Sequence, residues 1–439
     1  MPRIGFAFSI IFASIALNLC AEEIHGLGCN IGLPPPATAP AKTGAMVTSF
    51  SLPSSVDLTP NVPPVFDQGS LGSCCSCSVG YTVKGYMETV DHGWNNTVSN
   101  HQFAPNYLYN QVNGGSDSGS TPDDNFGVLA WRGISTLQAQ PYNQSNCISW
   151  PTQSQCQNAQ DFRDIEVSGS PTQYTGTVAN AKTLLASGIV LATTLQVDSA
   201  WDNLGSGTNY VWYPNKLNIR GGHCVSIIGY DDSVTDGNGH VGAFRVQNQW
   251  GAGWANGGRC WIAYDGYTLS GGPAGFYHGT ERTNFTSKIQ AQITVNCPNA
   301  AEIFITLGVG STSSPVWQYQ YYYQMGGIYI GGWFSPVGPN LSTTLDMTDA
   351  SPYWPPTPGQ PWWVKVSEMD SRNGDTATIT QFQITNAGQT FIEFRKSNAN
   401  HHGGDGSSDE RTNERNLDWD RDTRRLLERK RMLTCFVVS

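Results

Sequence analysis

The chain has 439 residues, which is enough for two or three domains that each bury a hydrophobic core. It carries 24 basic and 34 acidic residues, and ten of the basic ones lie between Arg395 and Arg431. The rest of the chain is therefore strongly acidic, which argues against a nucleic-acid partner.

Residues 1–21 predict a secretory signal peptide. Arg3 is followed by an apolar stretch of about fifteen residues, and small or polar residues surround Cys20. A membrane anchor would need roughly 20 apolar residues, and Asn18 and Glu22 interrupt this run too early. We therefore expect a secreted or extracellular protein, or one in a lysosome-like compartment if the host is eukaryotic, with no stable membrane insertion.

The next two stretches differ in pattern. Residues 22–50 are rich in proline and alanine and have no hydrophobic periodicity, which predicts an extended linker. Within residues 51–280, apolar residues recur at helical spacing after Cys74 and after Thr121, whereas later segments such as GHCVSIIGYD have strand character. A helical first half followed by a strand-rich second half predicts an α+β unit.

One cysteine of this unit is placed for chemistry. The run DQGSLGSCCSCSV puts a glycine-rich turn directly before an apolar helix, and Cys74 is the first cysteine of that helix. The unpaired N–H groups and the dipole at a helix N-terminus favour a thiolate. A thiolate needs a base, and His223, at the start of a predicted buried strand, needs a polar partner. Asn248, which closes a later strand just before Trp250, can accept a hydrogen bond from that imidazole.

These stretches resemble those of the papain-like cysteine peptidases. That family has a Gln-Gly-x-x-Gly-Ser-Cys segment before its central helix, then a strand bearing a histidine, then Asn-x-Trp-Gly. Here the three motifs read QGSLGSC ending at Cys74, GHC around His223, and NQWG from Asn248. The separation of Cys74 from His223 falls within the roughly 130 to 150 residues typical of the family. DQGSLGSC is similar to a subgroup without the disulfide cysteine usual three positions before the nucleophile.

The resemblance covers roughly residues 52–265 and implies a two-lobed fold with a helical lobe and a β-barrel-like lobe. It implies Cys74 as the nucleophile, His223 as general base and acid, and Asn248 as the orienting amide. Gln68 would be the side-chain donor of the oxyanion hole, which stabilises the tetrahedral intermediate. The expected reaction is hydrolysis of protein or peptide substrates without a cofactor or a metal ion.

A further motif concerns substrate binding. The stretch NGGSDSGSTPDDN is similar to the family loop whose glycine binds the substrate backbone. The resemblance implies this role for Gly119, with Gly114 and Gly115 as alternatives because the register of the match is open.

The remaining cysteines of the region raise structural questions. Cys75 stands where the family usually has an aromatic residue, and Cys77 follows two positions later. A bridge between adjacent Cys74 and Cys75 would be strained, and no second cysteine or histidine pair at ligand spacing supports a metal site. In the loop that follows, Cys147 and Cys156 are our predicted local disulfide.

Residues 285–395 have strand patterns alone, in segments such as KIQAQITVN and EIFITLGV, which predict an all-β sandwich. Residues 371–375 offer an Asn-Gly hairpin turn. Clustered aromatics could form a carbohydrate-binding face, although a sandwich core is the commoner arrangement. WWVKVSEMDSRNGDTATITQFQIT resembles closing strands of small β-domains attached to secreted proteases, including the P-domains of subtilisin relatives, which implies an accessory role. Residues 396–439, dense in both charges, predict a disordered tail.

The sequence thus favours a secreted, papain-like cysteine-type endopeptidase. One alternative is a catalytically inactive papain-like protein that serves binding or adhesion, for which Cys75 is the best support. Another keeps the thiol chemistry but makes the protein a transferase or an amidase. Hydrolysis of a simple peptide would separate that alternative from the endopeptidase.

Overall fold

The computed structural model describes nine segments of the chain, namely residues 25–31, 51–167, 170–267, 275–296, 303–322, 341–357, 359–368, 378–395 and 433–438. They form the predicted α+β unit followed by all-β sheets. The predicted signal peptide, the predicted hairpin turn at residues 371–375 and most of the predicted linker and tail lie outside these segments.

The helical lobe is built around one long central helix. It begins as α1 (Cys74–Ser76), continues as a π-helix (Cys77–Lys84) and ends as α2 (Gly85–His92). Gly93 closes it in the left-handed conformation, with φ of 65°, as glycine does at many helix ends. Residues 74–86 are all buried, so this helix is the core of the lobe.

Three further helices complete the lobe: α3 (Pro105–Val112), α4 (Pro122–Arg132) and α5 (Gln153–Ala159). The predicted helix start at Thr121 is confirmed. The Thr121 side chain accepts a hydrogen bond from the backbone N–H of Asp124, whose carboxylate in turn accepts from the backbone N–H of Thr121. This capping box satisfies two backbone donors that the helix itself cannot pair.

The second lobe is an eight-stranded sheet with the order β2-β8-β3-β5-β6-β7-β4, to which β1 adds by pairing with β5. Its strands are β1 (Ser55–Asp57), β2 (Gln173–Thr175), β3 (Leu191–Val197), β4 (Val211–Trp212), β5 (Gly221–Thr235), β6 (Val241–Gln247), β7 (Arg259–Ala263) and β8 (Phe276–His278). Its helices are α6 (Val178–Ala186), α7 (Ser199–Asp202) and α8 (Tyr264–Tyr267). The long central strand β5 faces the N-terminus of the central helix and joins the two lobes.

The β-sandwich consists of two four-stranded sheets, with orders β11-β10-β13-β16 and β12-β9-β14-β15. Its strands are β9 (Ile289–Asn296), β10 (Ile303–Ser311), β11 (Ser314–Tyr322), β12 (Leu341–Asp346), β13 (Trp362–Glu368), β14 (Thr378–Asn386), β15 (Gln389–Arg395) and β16 (Leu433–Val438). Both sheets bury alternate side chains in one shared core, which includes Ile293, Leu307 and Phe382. Tyr321 and Trp362 are also buried there, so these two strand aromatics are core residues.

The last strand corrects one expectation. Leu433–Val438 pairs antiparallel with β13, so these six residues are part of a sheet rather than of a disordered tail. The run LTCFVV is apolar and β-branched, unlike the charged residues before it, and such a run gains stability by pairing with a sheet edge.

The sandwich contacts the helical lobe through strand β12. The side-chain amide of Gln153, on α5, donates to the carbonyl oxygen of Thr343 at 2.9 Å. A buried charge cluster lies nearby, in which Asp346 accepts from Arg163 Nη1 at 3.1 Å and from Arg282 Nη1 at 3.2 Å. The two units are therefore joined by polar contacts, of which the Arg163–Asp346 pair is buried.

This interface also explains why the predicted disulfide between Cys147 and Cys156 is wrong. Both are free thiols. Cys156 is buried on α5, with its sulfur 4.0 Å from the carbonyl oxygen of Ser342 in β12. The helix thus directs this side chain at the sandwich, whereas Cys147 lies half-buried in the preceding loop.

We expect Asp346→Asn to lower the free energy of unfolding by about 3–5 kcal/mol, because Arg163 would stay buried without a carboxylate partner. Arg282 would keep its second partner, Asp349. As a control, Asp57→Asn breaks an exposed ion pair with Arg245. This change should lower the free energy of unfolding by less than about 1 kcal/mol. Urea unfolding of the full chain gives both values, and equal losses would contradict the assigned role of Asp346.

Candidate active site

The predicted site residues meet where the central helix approaches strand β5. Cys74 is the first residue of α1, and His223 lies near the start of β5. Asn248 follows the last residue of β6, the neighbouring strand. Gln68 lies in the turn before the helix. Cys74, His223 and Gln68 are fully buried, and Asn248 is 1% exposed, so the four side chains lie in a region without bulk water.

The imidazole of His223 is held by Asn248. Its Nε2 lies 2.9 Å from the Asn248 Oδ1, so Nε2 carries a proton and donates it to the amide oxygen. Among the described residues, Nδ1 has no hydrogen-bond partner, and the ring lies near enough to Cys74 to lower the pKa of its thiol. The indole of Trp250 covers the imidazole, with 4.9 Å between ring centroids. The ring therefore has one orientation, with Nδ1 available to the sulfur.

This environment changes the acidity of Cys74. Burial by itself raises the pKa of the thiol, but hydrogen bonds from Cys75 and His223 and the positive charge on His223 outweigh it. The result is a pKa lowered from 9.0 to about 5. The sequence predicts a thiolate because Cys74 lies at a helix N-terminus. The structure shows that Cys75 and His223 also lower the pKa of this thiol.

Gln68 is fixed by its backbone and its side chain. Its N–H donates to the carbonyl oxygen of Gln249 at 2.9 Å, which ties the turn to the segment that carries Asn248. Its Nε2 donates to the carbonyl oxygen of Leu71 at 2.7 Å and lies 3.5 Å from that of Leu27. A side-chain N–H donor thus lies beside the helix start, close to a backbone carbonyl group from another part of the chain.

That carbonyl group belongs to residues 25–31, which we call the cleft segment. Its backbone hydrogen-bonds to six described residues of the two lobes. Gly26 N–H donates to Gly69, Cys29 N–H donates to Gly222, and Gly28 and Asn30 pair with Ser120, at 2.9 to 3.1 Å. The Trp250 indole donates to Gly26 and the Arg220 guanidinium donates to His25, both at 3.2 Å, and Gln68 Nε2 lies 3.5 Å from the Leu27 oxygen. The cleft segment therefore crosses the whole site and covers Cys74.

The cleft segment corrects the prediction that residues 22–50 are only a linker. Its close fit requires glycine, because a Cβ added to Gly28 would lie 2.0 Å from the carbonyl oxygen of Gly72. Gly28 also has φ of 111°, which other residues rarely adopt. The two glycines in HGLGCN are the signal of close backbone approach that the sequence contained.

The loop with Gly119 pairs with the backbone of the cleft segment, and Ser120 rather than Gly119 makes the hydrogen bonds. Ser120 N–H donates to Gly28 and its carbonyl oxygen accepts from Asn30, both at 2.9 Å. Gly119 has φ of 81°, and its N–H donates to the hydroxyl of Tyr109 at 3.1 Å. A Cβ on Gly119 would lie 2.3 Å from the carbonyl oxygen of Gly28, so this glycine leaves room for the bound backbone.

The amino-acid sequence of the chain matches a known protein family over the part that forms this site. The sequence model of the papain family cysteine proteases matches residues 52–271, half of the chain. The chain belongs to the papain family, and it is a cysteine peptidase that acts on protein or peptide substrates. No helix within the described segments is long and apolar enough to cross a membrane.

Solved structures with a similar fold include three peptidases. Xylellain, a cysteine protease from Xylella fastidiosa, is 22% identical with a TM-score of 0.45, and the match covers 59% of this chain and 96% of that one. Digestive procathepsin L2 from Tenebrio molitor is 23% identical with a TM-score of 0.44, covering 60% and 81%. ProCathepsin B S9 from Trypanosoma congolense is 17% identical with a TM-score of 0.45, covering 59% and 87%. No curated protein sequence matches the chain.

The lowered pKa of Cys74 predicts how alkylation depends on pH. In reduced protein, iodoacetamide reaches Cys74 when the cleft segment opens, and the rate of its alkylation should rise with a midpoint below the pKa of 9.0 of an ordinary thiol, since only the thiolate reacts. His223→Ala removes the hydrogen bond and charge that lower this pKa while burial remains, so the midpoint should move well upward. His240→Ala, which changes a histidine paired with Asp265 on the surface, should leave the midpoint unchanged. Identical profiles for all three proteins would contradict the assignment.

Proposed function

We propose that the protein is a secreted cysteine-type endopeptidase that uses Cys74, His223 and Asn248 as its catalytic triad, with Gln68 in the oxyanion hole. The observation that carries this proposal is the contact between a thiol of lowered pKa and an imidazole whose far nitrogen is bonded to a buried amide. A nucleophile, a base and a group that orients the base are the arrangement that covalent catalysis requires.

The reaction would begin with the Cys74 thiolate attacking the carbonyl carbon of the substrate peptide bond. The oxygen that becomes negative would accept from Gln68 Nε2 and from the backbone N–H of Cys74. His223, protonated on both nitrogens, would then give its Nδ1 proton to the leaving amine, and the C–N bond would break. Water, deprotonated by His223, would attack the resulting thioester and release the acid and the thiol. Asn248 would keep the ring in the same plane through both proton transfers.

A substrate would have to displace the cleft segment first. Backbone groups of Gly69, Ser120 and Gly222, which would be available to an extended peptide, are already bonded to the cleft segment. These bonds are backbone to backbone and do not depend on side-chain identity, so an extended substrate can make bonds of the same kind. The cleft segment and an extended substrate would thus compete for the same backbone hydrogen-bonding groups.

Secretion is the second part of the proposal and rests on the predicted signal peptide. The eight cysteines whose side chains the structure describes are all free, and all but Cys147 are buried. Burial restricts access of oxidants to these thiols, which is compatible with an oxidising compartment.

Substitutions at the site test the assigned roles. Cys74→Ala should abolish hydrolysis of a fluorogenic peptide by the reduced full-length protein. Gln68→Ala should lower kcat by about 10²–10³ with little change in KM, because its hydrogen bond forms only when charge develops on the oxygen.

Cys77→Ala provides the matched control. Cys77 lies further along the same helix and its sulfur is 3.6 Å from the Ser73 hydroxyl, so this variant should keep its activity. Activity that survives in Cys74→Ala, or is lost equally in Cys77→Ala, would contradict the triad.

A further inference from the structure

Four thiols lie together at the active site, although the proposed reaction uses only one. None of Cys29, Cys74, Cys75 and Cys224 is more than 6% exposed, and the other three thiols all affect the pKa of Cys29. Cys74, Cys75 and Cys224 come from the body of the peptidase, on the central helix and on β5. Cys29 comes from the cleft segment, so it is the one of the four that would move away if a substrate displaced that segment.

Cys29 and Cys75 are neighbours in the buried site, and each thiol affects the pKa of the other. Both also meet at one residue of the substrate-binding loop: Cys29 pairs with Ser120 as in a parallel sheet, and the Cys75 sulfur donates to the Ser120 carbonyl oxygen at 3.3 Å. Ser120 thus holds the backbone of one cysteine and the side chain of the other.

Cys29 is a free thiol, so the described contacts of the cleft segment are all non-covalent. Besides the hydrogen bonds described above, the Asn30 side chain donates to the carbonyl oxygen of Ser118 at 3.2 Å, and His25 stacks on Trp250 with 5.1 Å between ring centroids. Leu27 and Ile31 pack against the hydrophobic cores of the lobes. Contacts of these kinds can break and form again without a chemical reaction. A covalent bond from Cys29 would make the closed state permanent until that bond is broken.

We propose that Cys29 and Cys75 form a reversible disulfide that locks the cleft segment over Cys74, so that the peptidase is inactive when oxidised and active when reduced. This inference rests on the proposed function of Cys74. It also gives a use to a cysteine at position 75, where papain-like enzymes usually carry an aromatic residue.

The oxidant would be a small-molecule disulfide of the glutathione type, and the step balances by two exchanges. With the cleft segment open, the Cys29 sulfur attacks one sulfur of the oxidant, forms a mixed disulfide and releases one small thiol, which takes up the proton. Before the segment has closed again, while Cys75 is not yet buried, the Cys75 sulfur attacks Cys29 Sγ and releases the second small thiol, which takes up the Cys75 proton. Two protein thiols and one small disulfide thus become one protein disulfide and two small thiols. Reduction by a dithiol reverses both exchanges.

Burial makes the reduced, closed state stable. In that state the hydrogen bond with Cys75 lowers the pKa of Cys29, but burial and the neighbouring thiols raise it to about 11. Burial likewise raises the pKa of Cys75 well above its ordinary value. Both groups are therefore protonated and unreactive until the cleft segment opens, so oxidation is coupled to opening.

The test uses full-length protein as wild type, Cys29→Ser and Cys74→Ala. Each is reduced, freed of reductant, incubated with oxidised glutathione, blocked with iodoacetamide and digested for peptide mass analysis. Cys74→Ala removes the reactive catalytic thiol, so exchange at Cys74 cannot obscure the result. We expect a peptide pair joined between Cys29 and Cys75 in wild type and in Cys74→Ala, with no retained glutathione.

Activity provides the second readout. Oxidised wild type should lose at least about tenfold in peptide hydrolysis, since a tethered segment competes at a high effective concentration. The fraction of activity that is lost should match the fraction of protein that carries the cross-link, and dithiothreitol should restore the activity. Cys29→Ser should lose only the fraction that carries glutathione on Cys74, which intact mass measures. Absence of the Cys29–Cys75 peptide, a bridge from Cys75 to Cys224 instead, or equal loss in wild type and Cys29→Ser would overturn the proposal.

The two proposals fail in different ways. If reduced wild type hydrolyses the peptide but no Cys29–Cys75 bridge forms, the disulfide lock is wrong and the peptidase assignment stands. If the bridge forms but reduced wild type has no peptidase activity, the triad is wrong, and with it the regulatory meaning of the bridge.

Discussion

The hydrogen bond between His223 and Asn248 is the interaction on which the site depends. An imidazole buried without a partner would be unfavourable and free to turn. With Nε2 bonded at 2.9 Å to an amide oxygen, the ring is fixed and its other nitrogen is left for the sulfur. The indole of Trp250 shields this bond from water, which strengthens it. With the ring in this orientation, His223 joins Cys75 in lowering the pKa of Cys74 against the opposing effect of burial.

The position of the sulfur depends in turn on how the central helix is anchored. Lys84, fully buried, lies within 2.8–2.9 Å of carboxylate oxygens of Glu88, Asp164 and Glu281. Glu88 is on the same helix, whereas Asp164 and Glu281 belong to later parts of the chain. One cation therefore ties the helix to distant segments, and removal of that cation would leave three carboxylates close together in a buried site. The rigid helix transmits this anchoring to Cys74 at its start.

The features that the sequence predicts correctly are those that depend on short local patterns. The glycine-rich turn before Cys74, the strand with His223 and the strand end at Asn248 are each recognisable within about ten residues, and the structure brings these three residues together as expected. The cleft segment was missed because its contacts are backbone bonds to residues far along the chain, which leave no periodic pattern. The direction of Cys156 was missed because it depends on how α5 packs against β12. Strand β16 was missed because its six residues follow a long charged stretch.

The order of strands in the sandwich also affects how the chain folds. The described strands of the peptidase sheet have all been made once β8 has been synthesised, before any strand of the sandwich. Strand β13, by contrast, has β16 as its partner on one side, and β16 comes from residues 433–438. Until those residues leave the ribosome, β13 presents an open edge with unpaired backbone groups, which is the kind of surface that aggregates. One sheet of the sandwich therefore keeps an open edge until residues 433–438 have been made.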